Sequence, residues 1–87
     1  MTREVARTIA EHLLDDEVRS ADGPEIVVVD EFTVESPNAW GFVYNTRAWA
    51  ETRDFEECLL GNAPILIDKA TGEARFGRTD IGIEEQL

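Results

Sequence analysis

The chain has 87 residues and a formal net charge of −11, with 19 acidic side chains against 8 basic ones. This balance argues against binding to nucleic acid or to an anionic membrane, because both carry negative charge. It favours a basic protein partner, whose approach is accelerated by opposite charge. The alternative is that the charge only keeps a small protein soluble. The longest uninterrupted apolar run, residues 26–29, is far shorter than the ~20 residues of a membrane-spanning helix.

Cys58 is the only cysteine in the chain, so no intramolecular disulfide can form. A lone thiol is typical of a reducing compartment. Glu4 interrupts the positive start of the chain, and no apolar stretch of signal-peptide length follows it. We therefore expect a cytoplasmic protein with a single domain over residues 1–87.

Residues 3–16 are predicted to form an amphipathic helix with Thr2 as its N-cap. The helix ends in three acids, although carboxylates at the C-terminal end of a helix oppose its dipole. This first acidic cluster is either a solvated loop or a surface kept for a partner. Its members are Asp15, Asp16 and Glu17.

Residues 25–35 are predicted to form a strand with alternating apolar side chains, an alternation that Asp30 interrupts. A β-bulge near Asp30–Glu31, a position at the edge of the sheet, or an exposed functional carboxylate would each explain the interruption.

A second strand is predicted over residues 40–47. The turn before it is too short for a helical crossover, so the two strands form an antiparallel hairpin. Trp40, Phe42 and Tyr44 share one face of the second strand. Such an aromatic row belongs either to the core or to a binding surface.

The polar segment that follows is predicted to be a loop leading into a short helix over about residues 53–60. It carries a second acidic cluster, which consists of Glu51, Asp54, Glu56 and Glu57.

A second hairpin follows this helix. Gly61 suits the left-handed position that ends a helix, and Pro64 excludes further helix. Residues 65–67 and 73–76 form the two strands, with Gly72 at a positive φ in the turn between them. Beyond the hairpin, Thr79 and Asp80 are predicted to cap a last helical turn in which Ile83 and Leu87 pack four residues apart.

No catalytic, metal-binding or cofactor-binding motif emerges from the sequence. The single histidine, His12, and the single cysteine give no pair with zinc spacing. Residues 68–73 resemble a calcium loop only superficially, because Ala70 occupies the third ligand position. We therefore predict no enzyme, no metal and no cofactor.

Several motifs together resemble a bacterial family. The aromatic strand ends in the triplet Asn45-Thr46-Arg47, and Gly61-Asn62-Ala63-Pro64 leads into an apolar run that ends at Asp68. The turn Thr71-Gly72-Glu73 and the closing Ile83-Glu84-Glu85 complete a pattern that resembles the YrhB-like family, also classed as immunity protein 35. The resemblance covers residues 40–87, with the N-terminal helix in the expected place.

The resemblance implies a non-enzymatic immunity protein that binds and neutralises a cognate toxin domain of a bacterial polymorphic toxin system. Because the family motifs look structural, it implies no catalytic residue. Some YrhB-like members are linked instead to stress or chaperone-like roles. Our alternative hypothesis is therefore a protein that binds partly unfolded clients, which requires the aromatic row to be exposed.

We predict an α+β fold in which the N-terminal helix packs on a mostly antiparallel sheet of about four strands. The strands form two hairpins, with short helices before and after the second hairpin. The expected partner is a toxin domain with a basic surface. Its predicted binding surface consists of the two acidic clusters: Asp15, Asp16, Glu17, Glu51, Asp54, Glu56 and Glu57.

Overall fold

The computed structural model describes residues 1–59 and 61–87. The helices in this part of the chain are α1 (Arg3–Glu17) and α2 (Arg47–Thr52). The strands are β1 (Ile26–Val28), β2 (Val34–Glu35), β3 (Ala39–Phe42), β4 (Tyr44–Thr46), β5 (Ile65–Asp68) and β6 (Ala74–Phe76). Single 3₁₀ turns occupy Asp30–Phe32, Phe55–Glu57 and Glu84–Gln86.

Helix α1 confirms the predicted N-terminal helix and its cap. The Thr2 hydroxyl accepts a hydrogen bond from the Val5 backbone N–H at 3.2 Å, which satisfies a donor that the first helical turn leaves free. Ala6, Ala10 and Leu14 are buried beneath the helix. The two alanines let the helix axis lie close to the sheet, because neither side chain extends beyond Cβ.

The strands form a four-stranded antiparallel sheet, in the order β2-β3-β5-β6, and a two-stranded ribbon of β1 and β4. The predicted α+β fold with two hairpins is therefore confirmed. The aromatic row belongs to the core: Trp40, Phe42 and Tyr44 are 8%, 0% and 5% exposed. They pack in one cluster with α1 and with Ile65 and Ile67 of β5.

The prediction of one continuous strand over residues 25–35 is wrong. Val28 lies opposite Tyr44, and Val34 lies opposite Gly41. The longer first side of the hairpin leaves the three residues Asp30–Phe32 without a partner, and they form an extruded 3₁₀ turn. The interruption at Asp30 is thus larger than a single-residue bulge.

Asp30 attaches this turn to α1. Its carboxylate accepts a hydrogen bond from Arg7 Nε at 2.8 Å, and its backbone carbonyl accepts one from Arg3 at 2.6 Å. These contacts give the carboxylate a structural partner, so the interruption needs no separate functional explanation.

The second hairpin follows the prediction closely. β5 pairs antiparallel with β6, and Ile65 lies opposite Phe76. Gly61 and Gly72 have φ values of 75° and 76°, a region that glycine enters at little cost because it has no Cβ. The prediction that Gly61 ends a helix is wrong, however, because the preceding 3₁₀ turn already ends at Cys58.

The short helix before this hairpin begins earlier than predicted. α2 occupies Arg47–Thr52, and only the 3₁₀ turn Phe55–Glu57 falls within the predicted range 53–60. The last residue of that predicted range, Leu60, lies outside the described residues. Asp54 is the N-cap of the 3₁₀ turn, because its carboxylate accepts a hydrogen bond from the Glu56 N–H at 3.0 Å.

The final helical turn is the 3₁₀ turn Glu84–Gln86, and it packs on the sheet through Ile83 and Leu87. A Cβ on Gly41 would lie 2.8 Å from Ile83 Cδ1 and 3.4 Å from Leu87 Cδ2, so glycine is what allows this approach. The predicted cap at Thr79–Asp80 is wrong, because this turn has no side-chain cap and Asp80 pairs with Arg78 instead.

None of the helices in the described ranges is long and apolar enough to cross a membrane.

Candidate partner-binding surface

The excess negative charge of the chain is not neutralised within the described residues. In this part of the molecule, every basic side chain except Arg75 forms an ion pair with a carboxylate. Since the acids greatly outnumber the bases, many exposed carboxylates retain their full charge. The surface therefore presents a strong negative potential to an approaching partner.

The first acidic cluster lies at the C-terminal end of α1, and all three of its members are exposed. Arg19 Nη1 donates a hydrogen bond to Asp15 at 2.9 Å, and Arg19 also contacts Glu11 and the carbonyl of Ile26. Burial lowers the pKa of the Arg19 guanidinium, but the hydrogen bonds to Asp15 and Glu11 outweigh it, so the pKa lies above its ordinary value. Asp15 is therefore paired with a guanidinium that stays charged.

The second acidic cluster runs from the end of α2 through the following 3₁₀ turn, and its members are also exposed. Glu51 accepts a hydrogen bond from Arg47 Nε at 2.8 Å, one helical turn away. Asp54 is occupied as the cap of the 3₁₀ turn. Glu56 and Glu57 form no ion pair with any described residue.

An arginine connects each acidic cluster to residues 25–26, at the start of β1. Arg19, which pairs with Asp15, donates a hydrogen bond to the Ile26 carbonyl at 2.6 Å. Arg47, which pairs with Glu51, donates one to the Glu25 carboxylate at 3.0 Å. Asp16 and Glu17 resemble Glu56 and Glu57 in having no ion pair among the described residues. These four carboxylates are the members of the predicted surface that remain free to bind a partner's cations.

Buried polar side chains hold the backbone of the second cluster in place. The Asn45 carbonyl oxygen accepts hydrogen bonds from the N–H groups of Thr46 at 2.8 Å and Leu59 at 2.7 Å. Its amide nitrogen donates to Cys58 Sγ at 3.4 Å. Asn45 is only 5% exposed, so water has little access to its side chain in these bonds.

Thr46 and Asn62 complete this scaffold. The Thr46 hydroxyl donates to the Glu57 carbonyl at 2.6 Å and accepts from the Trp49 N–H at 3.1 Å, so it both caps α2 and holds the 3₁₀ turn. The Asn62 amide donates to the Tyr44 carbonyl at 2.6 Å. The Asn-Thr-Arg triplet and the Gly-Asn pair are thus structural, as their local appearance indicated.

A patch of aromatic side chains and one arginine lies beside the second cluster, and the sequence analysis did not identify it. It consists of Phe32, Trp49 and Arg53, which contact one another, and of Phe55, which follows Arg53 by two residues. The Arg53 guanidinium lies 4.4 Å from the ring centroid of Trp49 and 5.2 Å from that of Phe32. Strict alternation along a strand over residues 25–35 puts Phe32 on the same face as Ile26 and Val28, which are buried, but the extruded turn leaves Phe32 43% exposed.

The described residues include potential metal ligands and surface clefts. No three His, Cys, Asp or Glu side chains among them come together as metal ligands. A cleft of about 290 Å³ between β4 and the C-terminal segment is lined mainly by apolar side chains. Its polar residues include Asn62, which bonds the Tyr44 carbonyl, and Arg78, which pairs with Asp80.

Comparison with known proteins agrees with the motifs. The immunity protein 35 family matches residues 4–81, which include both acidic clusters and the buried polar scaffold. The chain is also similar to the uncharacterized protein YrhB of Escherichia coli (strain K12), with 36% identity over 78 residues. That alignment covers 90% of this chain and 76% of YrhB. No solved structure matches the chain significantly. With a match over most of its length and motifs whose side chains build the fold, the chain belongs to the immunity protein 35 family.

Proposed function

We propose that this protein binds a cognate bacterial toxin domain and neutralises it by covering a basic surface of that domain. Its membership of the immunity protein 35 family supports an immunity role. The observation that carries the finer proposal is that four members of the two acidic clusters are exposed and form neither an ion pair nor a cap hydrogen bond with the described residues: Asp16, Glu17, Glu56 and Glu57. An inhibitor of this kind acts by occupying a surface, so it requires no catalytic group of its own.

The acidic surface favours a partner whose own surface is basic. Opposite charges raise the rate of encounter and disfavour acidic competitors. The rigid attachment of the second cluster supports the same proposal, because a preorganised surface loses less conformational entropy on binding. The lone thiol of Cys58 suits a cytoplasmic location, which we include in the proposal.

The buried aromatic row weighs against the chaperone-like alternative. Binding of partly unfolded clients relies on exposed apolar surface. Trp40, Phe42 and Tyr44 are all less than one-tenth exposed, and they are committed to the core beneath α1. A chaperone-like role would need another apolar surface.

The test uses the C-terminal domain of the toxin encoded beside this gene, produced as an inactive variant. Isothermal titration calorimetry should give a stoichiometric complex whose affinity falls as salt is added, because exposed charge pairs are screened. The double variant Glu56→Lys with Glu57→Lys should bind at least about tenfold more weakly. The expected complex would also protect cells from the active toxin.

The matched control is Glu84→Lys with Glu85→Lys, which changes the net charge by the same amount on the C-terminal 3₁₀ turn. Those two acids are exposed as well, and their replacement should weaken binding less than about threefold. Equal losses from both double variants would mean that only overall charge matters. Absence of any complex at low salt, together with suppressed aggregation of unrelated proteins, would reject the proposal in favour of the chaperone-like role.

A further inference from the structure

The aromatic–arginine patch has the composition of a protein-binding anchor. Phe55 is 72% exposed and Phe32 is 43% exposed, whereas Trp49 is half-buried and its ring centroid lies 6.3 Å from that of Phe32. Trp, Phe and Arg are enriched at protein interfaces, and Trp and Arg dominate the residues that carry binding energy. The Arg53 guanidinium lies over the Phe32 ring, and Phe55 follows Arg53 by two residues, so two large apolar side chains are exposed in this part of the surface.

The arginine of the patch is held in a fixed position. Arg53 has φ 60° and ψ 23°, and it is the one non-glycine residue with positive φ in the described ranges. Its N–H donates to the Trp49 carbonyl at 2.7 Å, and its guanidinium pairs with Glu31 while lying over both rings. Such a conformation persists only where the surroundings determine it. The side chain is consequently preorganised for a contact.

The charges around the patch indicate what kind of partner it fits. Glu31 precedes Phe32, while Asp54 and Glu56 flank Phe55, and all three are exposed. Glu31 neutralises Arg53, so the apolar centre is surrounded by net negative charge. A second copy of this acidic chain would bring like charges together, which is unfavourable. A basic surface with an apolar recess complements both the centre and its rim.

We propose that Phe32, Trp49, Arg53 and Phe55 form the anchor of the interface with the basic toxin domain, with the second acidic cluster as its rim. This inference depends on the function proposed above, and it adds the apolar contacts that would determine how long the complex lasts. The acids govern the rate of encounter, whereas the anchor governs the rate of dissociation.

The experiment compares variants of the full chain for binding to the inactive toxin domain at one fixed salt concentration. Phe55→Ala should weaken binding at least about tenfold, mainly through faster dissociation measured by biolayer interferometry. Arg53→Gly should have a similar effect. Because glycine adopts φ 60° without strain, this variant should keep α2 and its thermal unfolding midpoint, which separates a binding role from a structural one.

Val5→Ala serves as the matched control, since Val5 is 51% exposed on α1 and lies outside the patch. Its affinity should stay within about twofold of the wild type. If the wild type binds the toxin but Phe55→Ala and Arg53→Gly bind equally well, the anchor is refuted and toxin binding stands. If the wild type forms no complex, both proposals fail. A concentration-dependent dimer seen by light scattering, and lost in Phe55→Ala, would assign the patch to self-association and also refute the inference.

Discussion

Replacing Asn45 with alanine should remove a large part of the stability of this fold. The substitution removes the side-chain oxygen that accepts hydrogen bonds from the backbone N–H groups of Thr46 at 2.8 Å and Leu59 at 2.7 Å. A buried donor without an acceptor costs about 1–3 kcal/mol. Thr46 is only 7% exposed, whereas Leu59 is half-buried and regains part of its loss from water. We therefore expect Asn45→Ala to lower the free energy of unfolding by about 2–4 kcal/mol.

This loss is a large fraction of the total free energy of unfolding. At about 0.05–0.15 kcal/mol per residue, a chain of this length has a free energy of unfolding of about 4–13 kcal/mol. Urea titration followed by the fluorescence of Trp40 and Trp49 measures the change. With an m-value of about 1–2 kcal/mol/M, the midpoint should fall by about 2 M. The Leu59 amide should also exchange its hydrogen faster, because opening of the segment no longer breaks that bond.

Asn38→Ala is the control, since it makes the same substitution at an exposed turn position. The Asn38 side chain forms no hydrogen bond with the described residues, so its loss should change the free energy of unfolding by less than about 0.5 kcal/mol. The reasoning is refuted if Asn45→Ala also stays within that limit. In that case the segment around Leu59 would be held by its apolar contacts rather than by the buried amide.

Two further substitutions test the packing of the sheet. Gly41→Ala should lower the free energy of unfolding by about 1–2 kcal/mol, because its Cβ would lie 2.8 Å from Ile83 Cδ1 and must displace that side chain. A Cβ on Gly82 would meet no described atom within 4 Å. In the same urea titration, Gly82→Ala should therefore leave the free energy of unfolding unchanged or raise it by up to about 1 kcal/mol. Burial raises the pKa of the Tyr44 hydroxyl above its ordinary value of 10. The contribution of this hydroxyl to the free energy of unfolding is therefore complete below pH 10 and is lost as the pH rises from 10 through the folded-state pKa. Tyr44→Phe should therefore reduce the fall in urea midpoint above pH 10, and an unchanged pH profile would contradict this assignment.

The parts of the fold that the sequence predicts correctly are those determined by local chemistry. Thr2 caps α1 through a bond to a residue three positions away. Gly61 and Gly72 sit where the backbone requires a positive φ. Apolar residues at alternate positions then predict strands, and apolar residues at helical spacing predict a helix, because one face of each element is buried along its length.

The errors occur where distant residues decide the local structure. The turn at Asp30 is stabilised by Arg3 and Arg7 of α1, which strand periodicity does not reveal. The start of α2 depends on the Thr46 hydroxyl, which also bonds the Glu57 carbonyl eleven residues later. A polar segment with few apolar positions gives no comparable signal of its own.

Only part of the candidate surface could be predicted from the sequence. Asp15 and Arg19, like Arg47 and Glu51, are four residues apart. That spacing already indicates helical ion pairs. This spacing distinguishes Asp15 and Glu51 from the other members of the two clusters, which form no ion pair with the described residues. The aromatic–arginine patch had no such signal, because Phe32 reaches it only through the extruded turn.

The buried scaffold also explains how one fold could present different surfaces. Thr46 and Asn62 bond to backbone carbonyls, and Asn45 bonds chiefly to backbone N–H groups, in the segments that they hold. The scaffold therefore places no demand on the side chains of Glu56 and Glu57, which project outward from the same backbone. Substitutions at those positions alter the charge presented to a partner without removing a bond that the fold needs. Under the proposed function, the side chain of Glu57 contributes to specificity for the partner, whereas its backbone carbonyl contributes to the stability of the fold.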